Sequence, residues 1–291
     1  MKRIILMVLA GVIGLVVCSG VGVSAPGSSD ARELRGGVQP RVVGGDPVPD
    51  GKYRYIAALL NKNIGGGPAR QLFCGGTLID RDSVLTAAHC VAGRAVKHPG
   101  RYRVLLGRAR LDDGGKGVSR GVKRIFRHPK FSFPNHDAAV LELGRPVGNI
   151  PRLRLAPVSS GNRLERPGTS ATVAGWGAVN NRPTYPVRMQ ELVVPIVGDA
   201  YAQRVWPGKV GLRFFPKNMV AAGKAKGENA CFGDSGGPLI KKVKRNGKVV
   251  PYQIGIVSGG SSPCAQKGAI TGYAEVNSPE IAPFIRNAAS K

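Results

Sequence analysis

Cys231–Leu239 reads CFGDSGGPL, a stretch with one serine, Ser235, an acid before it and glycines on either side. Clusters of Gly, Asp and Ser are most often plain loops, so the local sequence leaves two readings open, a polar turn or an activated nucleophile. The rest of the chain has to decide between them.

At 291 residues the chain exceeds one typical domain but fits a single large β or two-lobed unit with a sizeable core. Aromatic residues make up 6% and glycines number 42, a balance that favours many short strands and turns, so the predicted class is all-β. The first 25 residues open with Lys2 and Arg3, continue as a run of apolar and small residues, and end in Val23-Ser24-Ala25, the pattern of a secretory signal. A membrane anchor is the competing reading of the same run, and Cys18 raises a lipoprotein site that the large Val17 before it does not suit. Without Cys18 the chain keeps Cys74, Cys90, Cys231 and Cys264, an even set in a protein bound for an oxidising compartment, so two disulfides are expected. Three pairings are possible, and the short separation within each half selects Cys74–Cys90 and Cys231–Cys264. The absence of any Cys-x-x-Cys pair argues against a metal site, and no cofactor is expected.

The net charge of +26 comes from 43 basic and 17 acidic residues. It implies a self-repelling surface with weak affinity for anionic surfaces; without aromatic interleaving it gives no signature of specific nucleic-acid binding. Residues 26–41 lack a hydrophobic period and read as a flexible leader. Beyond them short apolar or alternating runs are punctuated by Gly, Pro, Asp and Asn, as antiparallel strands require: YRYIAALL, GGTLI, SVLTAAHC, YRVLLG and AAVLEL. The stretch from Arg145 to Pro167 reads as a connector. A second series follows, with ATVAGWG, QELVVPIV, PLIKKVK, VVPYQIGIVSGG and TGYAEV, and Asn246-Gly247 marks a tight hairpin turn. Only the final segment, about residues 278–290, reads as helical, with Ser278 as its cap.

A serine hydroxyl needs a base to take its proton and a third group to orient that base. Of the four histidines, His98 and His128 each precede a proline and read as turn residues, and His136 adjoins Asp137. His89 closes the apolar run SVLTAAHC beside a disulfide cysteine, which places it at the end of a strand. Asp137 stands at the mouth of an apolar strand with no neighbouring cation in sequence; burial of such a carboxylate calls for hydrogen bonds, and an imidazole N–H is a suitable donor.

Taken together, TAAHC with His89, HDAAVLEL with Asp137, AGWG at Ala174–Gly177, GDSGGPL with Ser235 and GIVSGG at Gly255–Gly260 resemble the trypsin/chymotrypsin family of serine proteases, in the family's order, over residues 42–291. The resemblance implies two six-stranded antiparallel β-barrels, about residues 42–150 and 160–280, with a C-terminal helix and an active site between the barrels. It implies His89 as general base and acid, Asp137 as its orienting partner and Ser235 as the acylated nucleophile. The backbone N–H groups of Gly233 and Ser235 would form the oxyanion hole. QPRVVGG resembles the family's activation site, where cleavage after Arg41 frees the amine of Val42 to pair with Asp234. The chain would then be a secreted zymogen that needs an activating protease and acts on a protein or peptide substrate.

The pocket departs from the trypsin pattern. Asn229 stands where trypsin-like members carry an aspartate, so the electrostatic case for a basic substrate side chain is missing. Ser258, Gly259 and Gly260 should form one wall and Thr271 or Gly272 the opposite one, and the expected preference is for small-to-medium neutral side chains. Glu228 beside the pocket is the feature that would restore a basic preference. Asp112 and Asp113 occupy the region where some members bind calcium, but without alternating oxygen ligands they read as solvated charges. A catalytically silent basic binding protein and an esterase on the same fold are the rival functions.

Overall fold

The computed structural model describes residues 45–112, 114, 117–178, 185–223, 229–260, 264 and 268–291. The signal, the leader, Arg41, Val42, Asp113 and Glu228 lie outside the described residues.

A two-residue strand, β1 (Asp46–Pro47), leads into β2 (Ile56–Asn61), a single helical turn α1 (Pro68–Gln71), β3 (Leu72–Leu78), β4 (Ser83–Thr86), β5 (Tyr102–Leu106), β6 (Val118–Arg127) and β7 (Ala139–Leu143). Strands β2 to β7 close on themselves in the order β2-β3-β4-β7-β6-β5, all antiparallel, which leaves no sheet edge. The first five residues of β2, IAALL, are all buried, because that strand is covered on both faces. In β6 the burial is one-sided, and Lys123, Arg124 and Arg127 point to solvent.

The connector carries β8 (Arg154–Leu155), paired in parallel with a strand of the second barrel. That barrel consists of β9 (Ser170–Gly175), β10 (Gln190–Val197), β11 (Met219–Gly223), β12 (Pro238–Arg245), β13 (Lys248–Gly260) and β14 (Ile270–Glu275). Its ring order is β9-β10-β11-β14-β13-β12, closed by β12 pairing with β9. Strand β10 shows the alternation that a barrel wall imposes: Leu192, Val194 and Ile196 are buried while Val193 faces out. Asn246 and Gly247 have φ of 48° and 74° and join β12 to β13 in the tight hairpin read from the sequence.

Each barrel has its own apolar centre, and each fully buried Leu or Ile contributes about 1.5–3 kcal/mol. Leu59, Leu78, Leu106 and Leu141 fill the first; Val173, Val194, Ile254 and Ile256 fill the second. Leu85 and Val140 belong to the second cluster, whereas Trp176 and Ile240 belong to the first, so the two barrels share a packed seam.

Three sequence expectations are corrected. A second helix, α2 (Asp199–Val210), was not expected, since only the final segment read as helical; it contains Pro207, Gly211 at φ 74° terminates it with an N–H donated to the Pro207 carbonyl, and Ala202 and Trp206 bury its inner face. The terminal helix, α3, is shorter than expected at Ile281–Ala289; Ser278 still caps it, its Oγ accepting from the N–H groups of Glu280 and Ile281. His128 precedes a turn but is itself only 4% exposed, stacked on His136 at 4.7 Å with the edge of Phe284 at 4.8 Å, and burial holds its pKa below the usual histidine value.

Candidate active site

Strands β4 and β7 pair with Thr86 opposite Ala139, which brings the residue three places beyond one strand and the residue two places before the other to the same end of the first barrel. Those residues are His89 and Asp137. His89 begins a short 3-10 turn, and its neighbour Cys90 is bonded to Cys74 on β3. The His89 backbone N–H donates to Asp137 Oδ1 at 2.8 Å, and its ring Nδ1 lies 2.7 Å from Oδ2. Ser258 Oγ, arriving from β13, donates to the same Oδ2 at 2.6 Å. Asp137 is 0% exposed, and these three donors answer the desolvation of its carboxylate. An Nδ1–H that donates to Asp137 leaves the imidazole Nε2 free to accept a proton.

Ser235 lies on the turn that precedes β12. The turn is closed by Asp234 N–H to the Cys231 carbonyl at 3.0 Å and Gly237 N–H to the Asp234 carbonyl at 2.9 Å. Two further bonds fasten it: Gly75 N–H on β3 donates across the seam to the Ser235 carbonyl at 2.7 Å, and Gly236 N–H donates to the Val257 carbonyl on β13 of the same barrel at 2.8 Å. Gly236 has φ +82°, and a Cβ there would lie 2.2 Å from Thr86 Oγ1 and 2.5 Å from the Gly75 carbonyl oxygen. Glycine is therefore required where the serine turn meets the strand leading to His89. Gly233, at φ +93°, lets the turn reverse, and neither its N–H nor that of Ser235 is taken by another described residue. Ser235 Oγ is half-buried and forms no hydrogen bond to His89 in this structure.

Asp234 is 2% exposed. Its Oδ1 accepts from Gly177 N–H at 2.8 Å and its Oδ2 from Cys231 N–H at 3.0 Å. Among the described residues no cation reaches it. Burial pushes its pKa up to about 6, against the lowering effect of the two N–H donors. The AGWG segment thus has a clear purpose: Gly177 bonds Asp234, while the Trp176 indole N–H anchors the segment on the Ala109 carbonyl at 3.0 Å.

A cavity of about 200 Å³ opens beside Ser235, lined by Ala230, Cys231, Ser258, Gly260, Cys264 and Thr271 among others. Asn229 was expected at its base but sits behind Thr271, 1% exposed, where its Oδ1 accepts from Thr271 Oγ and from Ala230 N–H. Among the described residues Thr271, not Asn229, faces the cavity. The Cys231–Cys264 disulfide joins the serine turn to the opposite wall. Ser258 was expected as pocket wall, and it also supplies the second side-chain partner of Asp137, a role its position in the sequence did not reveal.

Two aromatic residues at the site were missed. Phe133 sets its ring 5.5 Å from that of His89, edge to face, and borders Gly259 of β13. Phe232, 50% exposed, lies at the mouth of the cavity. Phenylalanines directly before Pro134 and Gly233, in turn-like sequence, were the available signal. Cys74, Cys90 and His89 also bring three donor atoms together, but the disulfide consumes both sulfurs.

This arrangement of two closed barrels, a buried aspartate on a histidine and a serine turn across the seam defines a chymotrypsin-like hydrolase. The family model for Trypsin matches residues 42–285. A trypsin-like protease of Streptomyces glaucescens is 34% identical over 92% of this chain and 87% of its own length. Trypsin II-P29 of Gallus gallus is 32% identical over 90% and 92%, and kallikrein-14 of Homo sapiens is 31% identical over 78% and 77%. The chain belongs to the trypsin family of serine endopeptidases.

Proposed function

We propose that the protein is a secreted endopeptidase made as a zymogen, with residues 1–25 as its signal, 26–41 as its leader and cleavage after Arg41 as its activating event. Ser235 Oγ attacks the scissile carbonyl while its proton passes to His89 Nε2. Asp137 keeps the imidazole oriented and stabilises its cationic form. The negative oxygen of the tetrahedral intermediate meets the N–H groups of Gly233 and Ser235, and donors of this kind contribute about 3 kcal/mol each. His89 then gives its proton to the leaving amine as the C–N bond breaks, and water repeats the sequence to free the acid product and Ser235. The observation that carries this reading is the Ser258–Asp137–His89 chain of hydrogen bonds beside a serine turn whose two N–H groups are uncommitted.

The pocket supports a preference for small-to-medium neutral side chains before the cut. Its described lining contains no carboxylate, and Thr271 limits its depth. Release of the Val42 amine would give the buried Asp234 a cation, order the turn and complete the oxyanion hole. An enzyme that avoids arginine needs another protease to cut at Arg41. A fluorophosphonate probe tests the proposal: it should label Ser235 in the cleaved chain, and Ser235→Ala should abolish both labelling and peptide hydrolysis. Undiminished labelling of the Ser235→Ala protein would mean that the nucleophile lies elsewhere.

A further inference from the structure

Away from the serine turn, a groove of about 990 Å³ runs between the 3-10 turn after His89, the end of β6 and α3. Its floor is apolar, formed by Ile125, Phe126, Pro283 and Phe284. Its rim carries Lys97, Arg127 and Lys130, all exposed. Glu280 is the acidic residue among its lining, and it is already engaged, by His136 Nε2 at 2.8 Å and Lys130 Nζ at 3.4 Å. An apolar floor under a rim whose Lys97 and Arg127 meet no carboxylate among the described residues is complementary to one kind of occupant: a peptide that alternates acidic with apolar side chains. A nucleic-acid backbone would meet the cations but leave the apolar floor unmatched.

The groove is also close to the proposed chemistry. Gly93, on its wall, is four residues beyond His89, so their separation is at most about 14 Å. A flexible segment of about eight residues covers about 16 Å, enough to join a scissile bond to a segment seated in the groove. We infer that this groove is a docking site for an acidic, apolar-bearing segment of the protein substrate, which it holds while a neighbouring bond is cut. The inference rests on the endopeptidase reading above and adds to it the chemistry of the substrate outside the pocket.

Two peptides with the same cleavable sequence test it, one bare and one carrying an alternating Glu/Leu/Phe tail on a Gly/Ser linker of about eight residues. With the activated protein, the tail should lower KM about tenfold at unchanged kcat, and about 0.5 M NaCl should remove most of the gain. The variant Lys97→Glu/Arg127→Glu/Lys130→Glu should lose the gain while cleaving the bare peptide like the parent. Lys242→Glu/Lys244→Glu on the β12–β13 hairpin should keep it, which separates the groove from general attraction to a strongly basic chain. A tail with Ser in place of Leu and Phe should lose most of the gain. Equal KM for the two peptides, a gain that survives the triple charge reversal, or loss of the gain in the hairpin variant would each overturn the docking site. If neither peptide is cut by a protein that fluorophosphonate also fails to label, it is the endopeptidase reading that fails.

Discussion

Replacing Asp234 by Asn in the uncut chain should remove a specific pH dependence of stability. The carboxylate is 2% exposed, meets only two backbone N–H groups among the described residues, and has its pKa pushed up to about 6 from 3.8. A raised carboxyl pKa means that the folded state binds the proton more tightly than the unfolded one. The contribution to stability is therefore fully present below pH 3.8 and is lost as pH rises through about 6. Two units at 1.36 kcal/mol each amount to about 3 kcal/mol, undiminished by solvent screening because the group is buried. The assay is urea unfolding of the uncut Ser235→Ala protein, which cannot digest itself, at about pH 4 and about pH 7.5, with and without Asp234→Asn. Because pH 4 lies just above the unfolded pKa, the parent should lose about 2.4 kcal/mol more than the variant between the two conditions. Any constant cost of the amide cancels in that difference, as do the buried Glu165 and Glu275, whose pKa values burial raises in both proteins. After cleavage at Arg41 the gap should shrink or reverse, since an ammonium beside Asp234 favours its charged form. Parallel pH profiles of the two uncut proteins would refute the reasoning.

Ser258→Ala removes one of the three donors on Asp137 and should lower kcat about ten- to hundredfold with little change in KM, as expected for a hydrogen bond to a buried charge; unchanged steady-state kinetics would show that the bond only packs the strand. Thr271→Gly should open the cavity towards Asn229 and raise kcat/KM for a Phe substrate about tenfold relative to an Ala substrate, which paired peptides would measure. Cys74→Ala/Cys90→Ala should cost about 3 kcal/mol in urea unfolding, given a sequence separation of 16. An unaltered midpoint would show that the first barrel holds its histidine turn without the bridge.

The features legible in the sequence are those fixed by short-range chemistry. His89 at a strand end, the glycines around Ser235 and the Asn246-Gly247 turn each depend on a few consecutive residues, and the structure sets them where that local reading put them. What was not legible depends on which of two distant side chains stands in front. Asn229 and Thr271 are 42 positions apart, and only the pairing of β13 with β14, which sets Gly260 opposite Thr271, makes the threonine face the cavity. Ser258 read as a wall because its hydroxyl direction is decided by Asp137, 121 positions away. Helix α2 was hidden by Pro207, which removes a backbone donor inside the helix; the burial of Ala202 and Trp206 offsets that loss, and no neighbouring residue in the sequence announces it. His128 looked like a loop residue because nothing near it in sequence announces the stacked His136 and the edge of Phe284.

The proposed catalytic groups are divided between the barrels: His89 and Asp137 come from the first, Ser235 and Ser258 from the second, and the bonds from Gly75 to Ser235 and from Ser258 to Asp137 cross the seam. A growing polypeptide that has emerged only as far as Leu143 already contains the base and its acid but has nothing to acylate. The piece made afterwards carries the serine and no base. No translation product that ends before Ser235 can therefore carry out the proposed chemistry, and a break that parts the halves disarms both at once. Assembly of the two barrels is therefore the step at which the proposed machinery first exists.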